Sequence, residues 1–375
     1  MWARGRAVET ASDVAWLRAM VEVENALAAA SATVGLISEA DASRIDSVSR
    51  DLVLDTAAIA REAAATGTPI VPLVERLRAA AGPEVAASVH WGATSQDILD
   101  SATMLIARRA LTPILEDLAG ASEAAAELAA VHRTTPIAGR TLLQRAVPTT
   151  FGLKAANWML GLDRAADRLA EIRRTGLAVQ LGGAAGTRAD YGGHGQRIAE
   201  EMADRLGLSV PVAPWHTERT RIGDLASALG VAAGAVAKAA RDIILLAQTE
   251  VAEVEEGVPE RGGSSAMAHK HNPVAAISAV ACAQRSFGLV TTLVASMAQE
   301  HERGAGNWQA EWVPVRQLLI TADSAAAWLR DSLEHLVVRP EAMARNLGSD
   351  ASLDLGDALA LVDEALRAHH GTPDR

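Results

Sequence analysis

Apolar residues near the start of the chain recur at the spacing of an amphipathic helix. Their separations of four, three and four positions place the side chains on one helical face. This stripe consists of Trp16, Met20, Val23 and Leu27. Glu22 and Glu24 lie off the stripe, residues 10–13 resemble a capping box, and Gly35 predicts the end of the helix.

A much longer periodic pattern follows in the second half of the chain. Its apolar positions are Ile222, Leu225, Leu229, Val236, Ile243, Ala247, Val251 and Val254. A helix over all of them would be roughly 50 Å long. Proline is absent from residues 149–210, 215–258 and 274–313. These features predict a bundle of long helices whose remaining apolar stripes are buried on partner subunits.

Composition supports an all-α fold. The chain is rich in alanine, only 3% of its 375 residues are aromatic, and alternating β-branched runs are nearly absent. We expect a three-part helical fold with a central long-helix bundle that assembles into a tetrameric multi-helix core. The expected parts are an N-terminal helical domain (1–100), the central bundle (101–338) and a short helical tail (339–375).

Charge and cysteine content narrow the class of function. Lys+Arg 35 against Asp+Glu 46 gives a net charge of −11, so neither nucleic acid nor an anionic membrane is an expected partner. Cys282 is the single cysteine, which excludes an intrachain disulfide. No signal sequence or membrane span is expected, and we predict a cytoplasmic protein.

The loop at residues 262–273 carries the densest chemistry. It reads Gly-Gly-Ser-Ser-Ala-Met-Ala-His-Lys-His-Asn-Pro and places two hydroxyls, an ammonium and an amide together. Asn272 is predicted to cap the following helix, with Pro273 at its first position. A helix start attracts carboxylates, so an anion site is expected, although a solvated linker is the alternative interpretation.

Two other segments combine turns with polar side chains. Residues 90–97 read His-Trp-Gly-Ala-Thr-Ser-Gln-Asp, in which Thr94 and Ser95 could simply cap a helix or could bind a carboxylate with little desolvation. Residues 139–152 read Gly-Arg-Thr-Leu-Leu-Gln-Arg-Ala-Val-Pro-Thr-Thr-Phe-Gly, which includes Thr141 and Gln144.

The three segments together resemble motifs of the fumarase/aspartase superfamily. The loop is similar to its signature G-S-S-x-M-P-x-K-x-N-P, with Ala268 where the family normally has proline. Matching positions are Gly263, Ser264, Ser265, Met267, Lys270, Asn272 and Pro273. The other two segments resemble the family's H-x-G-x-T-S-x-D and G-R-T-x-x-Q-x-A-x-P-T-T-x-G. The resemblance covers about residues 12–335.

One position separates subgroups of this superfamily. Many adenylosuccinate lyase-like members have a proton-transferring histidine where this chain has Leu142. An apolar side chain cannot transfer a proton, so that mechanism is disfavoured. The 3-carboxy-cis,cis-muconate cycloisomerases also lack this histidine. Further stretches similar to that group are residues 148–156, 180–187 and 301–312.

The resemblance implies roles for individual residues. Ser264 is expected to transfer the proton, with Ser265 as the less favoured choice, and Lys270 and Asn272 to stabilise a carboxylate-delocalised anion. The remaining expected substrate-binding residues are His90, Thr94, Ser95, Thr141, Gln144, Ser265, Met267 and Arg303. For Arg303 the alternative is a surface salt bridge with Glu300 or Glu302.

The implied activity is closure of a polycarboxylate to a lactone, with no cofactor, in a homotetramer whose active sites each use three chains. A fumarate-releasing lyase of the adenylosuccinate or nitrosuccinate type is the main alternative, and a non-catalytic structural protein is a third. His269, His271 and His301 suggest a metal, but zinc needs three or four supported ligands, so no metal is expected. His271 stands where relatives often have arginine.

Overall fold

A computed structural model describes residues 3–259, 261–267, 270–348 and 354–371. Two residues of the signature loop, Ala268 and His269, lie outside the described residues. Ala268 is the departure from the family's proline, and His269 is one of the histidines considered as a metal ligand. Within these ranges the chain is mostly helical, which confirms the all-α class. The helices that precede the central bundle are α1 (Ala7–Thr10), α2 (Asp13–Thr33), α3 (Glu39–Arg50), α4 (Thr56–Thr66) and α5 (Ile70–Ala81).

The first amphipathic stripe packs as predicted. Met20, Val23 and Leu27 are buried on α2, which lies against α6 and α8. The predicted capping box is displaced, because Ser12 is the N-cap and its hydroxyl accepts the Ala15 N–H at 3.2 Å. Glu24, expected to face away from the apolar stripe, is buried.

Five long helices form the central bundle. They are α6 (Ser95–Val131), α7 (Phe151–Glu171), α9 (Thr220–Leu246), α10 (Val274–Ala295) and α11 (Asn307–Glu334), and α8 (Gly195–Leu206) packs beside them on α2. Alanine supplies much of the buried surface of α6 and α9, which allows close approach of neighbouring helices.

The helix predicted to reach Val254 is shorter than expected. α9 ends at Leu246, and Ala252 adopts a left-handed φ of +49° in the turn that follows. Glu253 is then fully buried and accepts two hydrogen bonds from Arg140, at 2.7 and 2.9 Å. A buried carboxylate needs a partner, so the chain leaves the helix to bring Glu253 to Arg140, although Val251 and Val254 continue the apolar spacing of a helix.

Two small antiparallel sheets interrupt the helical pattern. β1 (Pro136–Thr141) pairs with β2 (Gln144–Thr150), and β3 (Val254–Glu256) pairs with β4 (Leu336–Val338). The first sheet places Thr141 opposite Gln144 across a tight turn. Residues predicted only as a motif therefore lie at the tip of a hairpin.

Helix α10 carries an apolar surface that the chain itself leaves partly uncovered. By length and composition alone it could cross a membrane, a segment that the sequence analysis did not predict, although only 39% of its most apolar stretch is buried. It packs closely against α9 and α11. Ile277 and Val294 remain exposed on it.

Two helices complete the described chain. They are α12 (Pro340–Leu347) and α13 (Ala358–His370). α12 lies against β1, and α13 packs on α7 and α6. The predicted boundary after residue 100 falls inside α6 and the one after residue 338 falls between β4 and α12; the three-part division stays a prediction.

Candidate active site

The 90–97 segment forms a turn that leads into α6. Thr94 is the N-cap residue and Ser95 the first helical residue, so the two hydroxyl side chains lie at the helix start. Asp97 Oδ2 accepts the Thr94 N–H at 3.0 Å, as in a capping box. The interpretation of Thr94 as a helix cap is therefore correct, and it is compatible with a second role in binding.

Asp97 fixes this turn with four hydrogen bonds. Besides Thr94, it accepts the N–H groups of Gly182 and Gly183 at 2.8 and 2.9 Å, and His216 Nε2 donates at 2.7 Å. The carboxylate is completely buried. A buried carboxylate is tolerated when its oxygens are satisfied in this way, and the contacts join α6 to two distant loops.

A buried ion-pair network continues along the same end of the bundle. Arg219 donates to Asp100 at 2.7 and 3.1 Å and to Glu311 at 3.1 and 2.5 Å. Burial works to lower the pKa of Arg219, but the two carboxylates outweigh it and raise that pKa. Trp308 Nε1 also donates to Asp100, at 3.1 Å. The starts of α6, α9 and α11 are thus held together.

Arg303 joins the same end from the loop before α11. Its guanidinium donates to Gln96 Oε1 at 3.1 Å and to the carbonyls of Gly183 and Ala184 at 3.3 and 2.8 Å. The alternative of a surface salt bridge with Glu300 or Glu302 is wrong for this chain. Arg303 braces the segment that Asp97 also holds, and a direct contact with substrate stays a prediction.

The β1–β2 hairpin presents its polar residues to solvent. Thr141 and Gln144 are exposed beside the turn residues Leu142 and Leu143, whose φ angles are +51° and +64°. Leu142 is 96% exposed. The Arg140–Glu253 pair ties the hairpin to the start of β3. Among the described residues of this chain, the tip of the hairpin is open to solvent.

Within the signature loop, Gly262 sets the backbone path. Its carbonyl accepts both the backbone N–H and the side-chain Nδ2 of Asn272, each at 2.8 Å. Its φ is +82°, and a Cβ there would lie 2.2 Å from the Asn272 carbonyl oxygen, so only glycine fits. Ser264 Oγ accepts the N–H groups of Ala266 and Met267 at 3.3 and 3.2 Å. The candidate proton-transfer group is thus held by local turns.

The predicted cap of α10 is wrong. Pro273, not Asn272, is the N-cap residue, and no side chain within the loop caps the helix. Glu256 of β3 accepts the N–H groups of Ala275 and Ala276 at 3.0 and 2.9 Å instead. A carboxylate of the chain thus already occupies this helix start, so the helix start itself is not free to bind a substrate anion.

An open cleft of about 1200 Å³ lies beside the loop. It is lined by Met267, Lys270, His271 and Asn272 of the loop, together with residues of β3 and α12. Arg339 and Arg345 also line it, together with Glu255, Glu256 and Glu341, and Arg339 pairs with Glu255. The cleft can accept a carboxylate-bearing small molecule beside Lys270.

Within one chain, the sequence-predicted residues fall at two ends of the bundle. Trp308, at the start of α11, contacts Asp100 of the Thr94 end, whereas Ser332, near the end of α11, donates to Glu256 at 2.7 Å. The 24 positions between them correspond to roughly 36 Å of helix. The β1–β2 hairpin lies at the same end as the loop. Arg140 of the hairpin pairs with Glu253, and Glu256, three residues later, binds the start of α10 directly after the loop. His90, Thr94, Ser95 and Arg303 lie at the other.

Sequence reasoning missed the residues that hold these segments. They are Asp100, His216, Arg219, Glu256 and Glu311, while Asp97 was recognised only as part of a motif and not for its buried hydrogen bonds. Acidic side chains recurring on otherwise apolar helices were the available signal, but solvent-facing residues give the same pattern. Among the described residues no group of three or more His, Cys, Asp and Glu side chains is arranged to hold a metal.

Comparisons with known proteins identify a family of lyases and two activities within it. A family model described as Lyase matches residues 6–288. The chain is 44% identical over 366 residues to 3-carboxy-cis,cis-muconate cycloisomerase of Bradyrhizobium diazoefficiens, covering 96% of this chain and 81% of the relative. It is 43% identical over 371 residues to nitrosuccinate lyase of Streptomyces davaonensis, covering 96% and 78%.

Solved structures agree with the sequence relatives. The crystal structure of beta-carboxy-cis,cis-muconate cycloisomerase from Acinetobacter calcoaceticus superimposes with a TM-score of 0.85 at 38% identity. The match covers 91% of this chain and 78% of that one. At this identity and coverage the two chains share the same helical fold.

Proposed function

Because the chain belongs to the fumarase/aspartase superfamily of lyases, we propose that it is a cycloisomerase that closes 3-carboxy-cis,cis-muconate to 4-carboxymuconolactone. This reaction belongs to protocatechuate catabolism by the beta-ketoadipate route, and we place the protein in the cytoplasm. The observation that carries the proposal is an intact Ser264–Lys270–Asn272 loop beside an open cleft, combined with leucine at position 142.

The chemistry requires one carboxylate of the substrate to add across a C=C bond. A carboxylate is ionised at neutral pH, so the nucleophile needs no base and the chain needs no histidine at Leu142. Because the nucleophile is tethered within the substrate, correct positioning alone supplies much of the acceleration. The new C–O bond forms as electron density moves into the neighbouring carboxylate.

Ser264 then delivers the proton to the carbon beside that carboxylate. Lys270 and Asn272 stabilise the delocalised anion, and preorganised donors of this kind supply the largest electrostatic contribution. Thr94, Ser95, Thr141, Gln144 and His90 orient the other carboxylates, with Ser265, Met267 and Arg303 completing the site. No cofactor or metal takes part in this scheme.

A complete site requires more than one copy of the chain. The Thr94 end and the loop end lie roughly 36 Å apart along α11. The partly uncovered apolar surface of α10 supplies a contact for a second copy, since exposed apolar helix faces mark association surfaces. We propose a homotetramer in which each site draws its segments from three chains. Light scattering tests this, and a fully active monomer would contradict it.

One assay decides the substrate. Purified protein is mixed with 3-carboxy-cis,cis-muconate and the loss of diene absorbance is followed, with nitrosuccinate and adenylosuccinate in parallel. We expect loss of the diene and no fumarate. Identity of 43% to nitrosuccinate lyase makes fumarate release the second candidate. Fumarate formation without any loss of diene would reverse the order of the two.

A further inference from the structure

The turn before Thr94 holds its histidine in an unusual conformation. His90 has a φ of +62°, in the left-handed region that residues with a Cβ seldom adopt. Gly92 follows at +65°, and a Cβ on it would lie 2.8 Å from the ring of Tyr191. The surrounding packing therefore fixes the turn. A strained backbone conformation persists only where the surrounding contacts enforce it, and such residues are frequent at binding and active sites.

A buried carboxylate holds the His90 ring. Glu24 of α2 is 2% exposed, and its Oε1 accepts a hydrogen bond from His90 Nδ1 at 2.6 Å. Its Oε2 is buried without a hydrogen-bond partner in the part of the chain that the structure describes. A buried carboxylate is costly without a donor, so this contact is the principal one that keeps Glu24 inside the protein.

The contact also decides what the other ring nitrogen can do. With Nδ1 donating to Glu24, Nε2 is an acceptor in the neutral ring and a donor in the charged ring. Nε2 has no hydrogen-bond partner among the described residues, and the His90 side chain is 14% exposed. A charged ring therefore offers one free N–H from the turn that leads into the helix start at Thr94 and Ser95.

Three charged groups set the charge of that ring. Burial works to lower the pKa of His90, but the charge and hydrogen bond of Glu24 outweigh it and raise that pKa. Asp97 of α6 adds to the increase, and Arg78 of α5 opposes it. Glu24 is the main cause of the raised pKa of His90, because it acts through both its charge and a hydrogen bond, whereas Asp97 acts through its charge alone.

We propose that Glu24 is a positioning residue that keeps His90 charged as the donor for one substrate carboxylate at the Thr94–Ser95 end of the site. This role rests on the proposed function, because it names the group that selects a polycarboxylate substrate. Glu24 itself does not touch substrate. The role predicts that the affinity for a polycarboxylate depends on pH, and that this dependence changes when Glu24, which does not touch the ligand, is replaced.

The test measures binding of propane-1,2,3-tricarboxylate, an unreactive tricarboxylate, to the full protein by calorimetry between about pH 6 and pH 8.5. Glu24→Gln removes the attracting charge and lowers the pKa of His90, so affinity should be lost at lower pH than in the wild type. Near pH 7.5 we expect weaker binding than by the wild type, because a smaller fraction of His90 is charged once the Glu24 carboxylate is gone. Glu24→Asp should largely restore the profile.

Glu22→Gln is the matched control. Glu22 lies two positions away on α2, is half-exposed, and pairs with Arg109 at 2.5 Å instead of with His90. This variant should bind as the wild type does. An unchanged pH profile in Glu24→Gln, or a change of equal size in Glu22→Gln, would overturn the proposal.

A second variant keeps the test available if Glu24→Gln does not fold. His90→Asn retains a residue that tolerates a left-handed φ and removes the titrating ring, so the pH dependence should disappear. Persistence of that dependence, or no binding of the probe to wild type at any pH, overturns the proposal. A wild-type protein that binds with this pH dependence but does not consume the diene defeats only the proposed function.

Discussion

The 90–97 turn and the 262–273 loop carry equally distinctive sequences, yet the chain treats them differently. Asp97 is buried and accepts four hydrogen bonds, which fix the turn to α6 and to residues 182–183. Ser265, Met267 and Lys270 are exposed on a loop held mainly by Gly262 and Asn272. One end of the site is built within the chain, and the other faces a cleft that a partner chain can close.

This comparison predicts that changes in the loop reduce activity and changes beneath the turn reduce stability. Ser264→Ala should lower kcat by about two to four orders of magnitude, because it removes the proposed proton donor. Its melting temperature should stay close to that of the wild type, since the hydroxyl bonds only to local N–H groups. Diene consumption and thermal unfolding, measured on the same preparation, give both quantities.

Ser265→Ala is the control for that experiment. Ser265 is the neighbouring exposed hydroxyl and is assigned only a binding role. We expect a much smaller decrease in kcat for it. Near-normal turnover by Ser264→Ala together with a large loss in Ser265→Ala would transfer the proton-donor role to Ser265.

Asp97→Asn tests the opposite end. The amide group presents donors to sites already occupied by N–H donors, so at least one buried group loses its partner. We expect the free energy of unfolding to fall by about 3 kcal/mol, as when a buried pair is broken. Denaturant unfolding measures this change.

Glu127→Gln is the matched control, because Glu127 is an exposed acid on the same helix α6. Its effect should be within about 0.5 kcal/mol of zero. Equal stability of Asp97→Asn and Glu127→Gln would show that the buried hydrogen bonds of Asp97 do not stabilise the turn at residues 90–97.

Glu256→Gln should have a smaller effect, located at the base of the loop. It removes the negative charge at the N-terminus of α10, where Glu256 accepts the N–H groups of Ala275 and Ala276. The glutamine amide also leaves one of these N–H groups without an acceptor, so we expect a loss of about 1 to 2 kcal/mol in the free energy of unfolding. Glu255→Gln, on the exposed side of the same strand, is the control and should be nearly neutral.

The helices could be predicted because their evidence is local. The spacing of Met20, Val23 and Leu27 alone determines which face of α2 is buried. The early end of α9 could not be predicted, because it depends on Arg140, which lies 113 positions from Glu253. The polar tip of the β1–β2 hairpin likewise lacks the alternation that identifies a strand.

The candidate site divides in the same way. The motifs identified Thr94, Ser264 and Lys270, because hydroxyls and a lone cation at turns are visible in the sequence. They did not identify Glu24 or Glu256, because an acid beside an apolar stripe looks the same whether it faces solvent or a buried histidine. Long-range pairing, rather than composition, separates these cases.

The smallest expected effect concerns the support of the loop end by α13. His369 lies between Asp163 and Glu123, with Nδ1 to Asp163 at 3.0 Å and Nε2 to Glu123 at 3.1 Å. Burial works to lower the pKa of His369, but the two carboxylates outweigh it and raise that pKa. The stabilisation is therefore fully present below the ordinary histidine pKa and is lost as pH rises through the raised value.

His369→Gln should accordingly lower the melting temperature at about pH 6 and leave it unchanged at about pH 8.5. The corresponding loss in the free energy of unfolding at the lower pH is on the order of 0.5 kcal/mol. His370→Gln is the control, since His370 is exposed beside it on α13. Scanning the melting temperature of each variant against wild type over this pH range measures the effect. Because Asp97 and its partners lie at the other end of α6, the Asp97→Asn loss should add to it independently. A His369→Gln deficit that grows with pH would contradict the assigned direction.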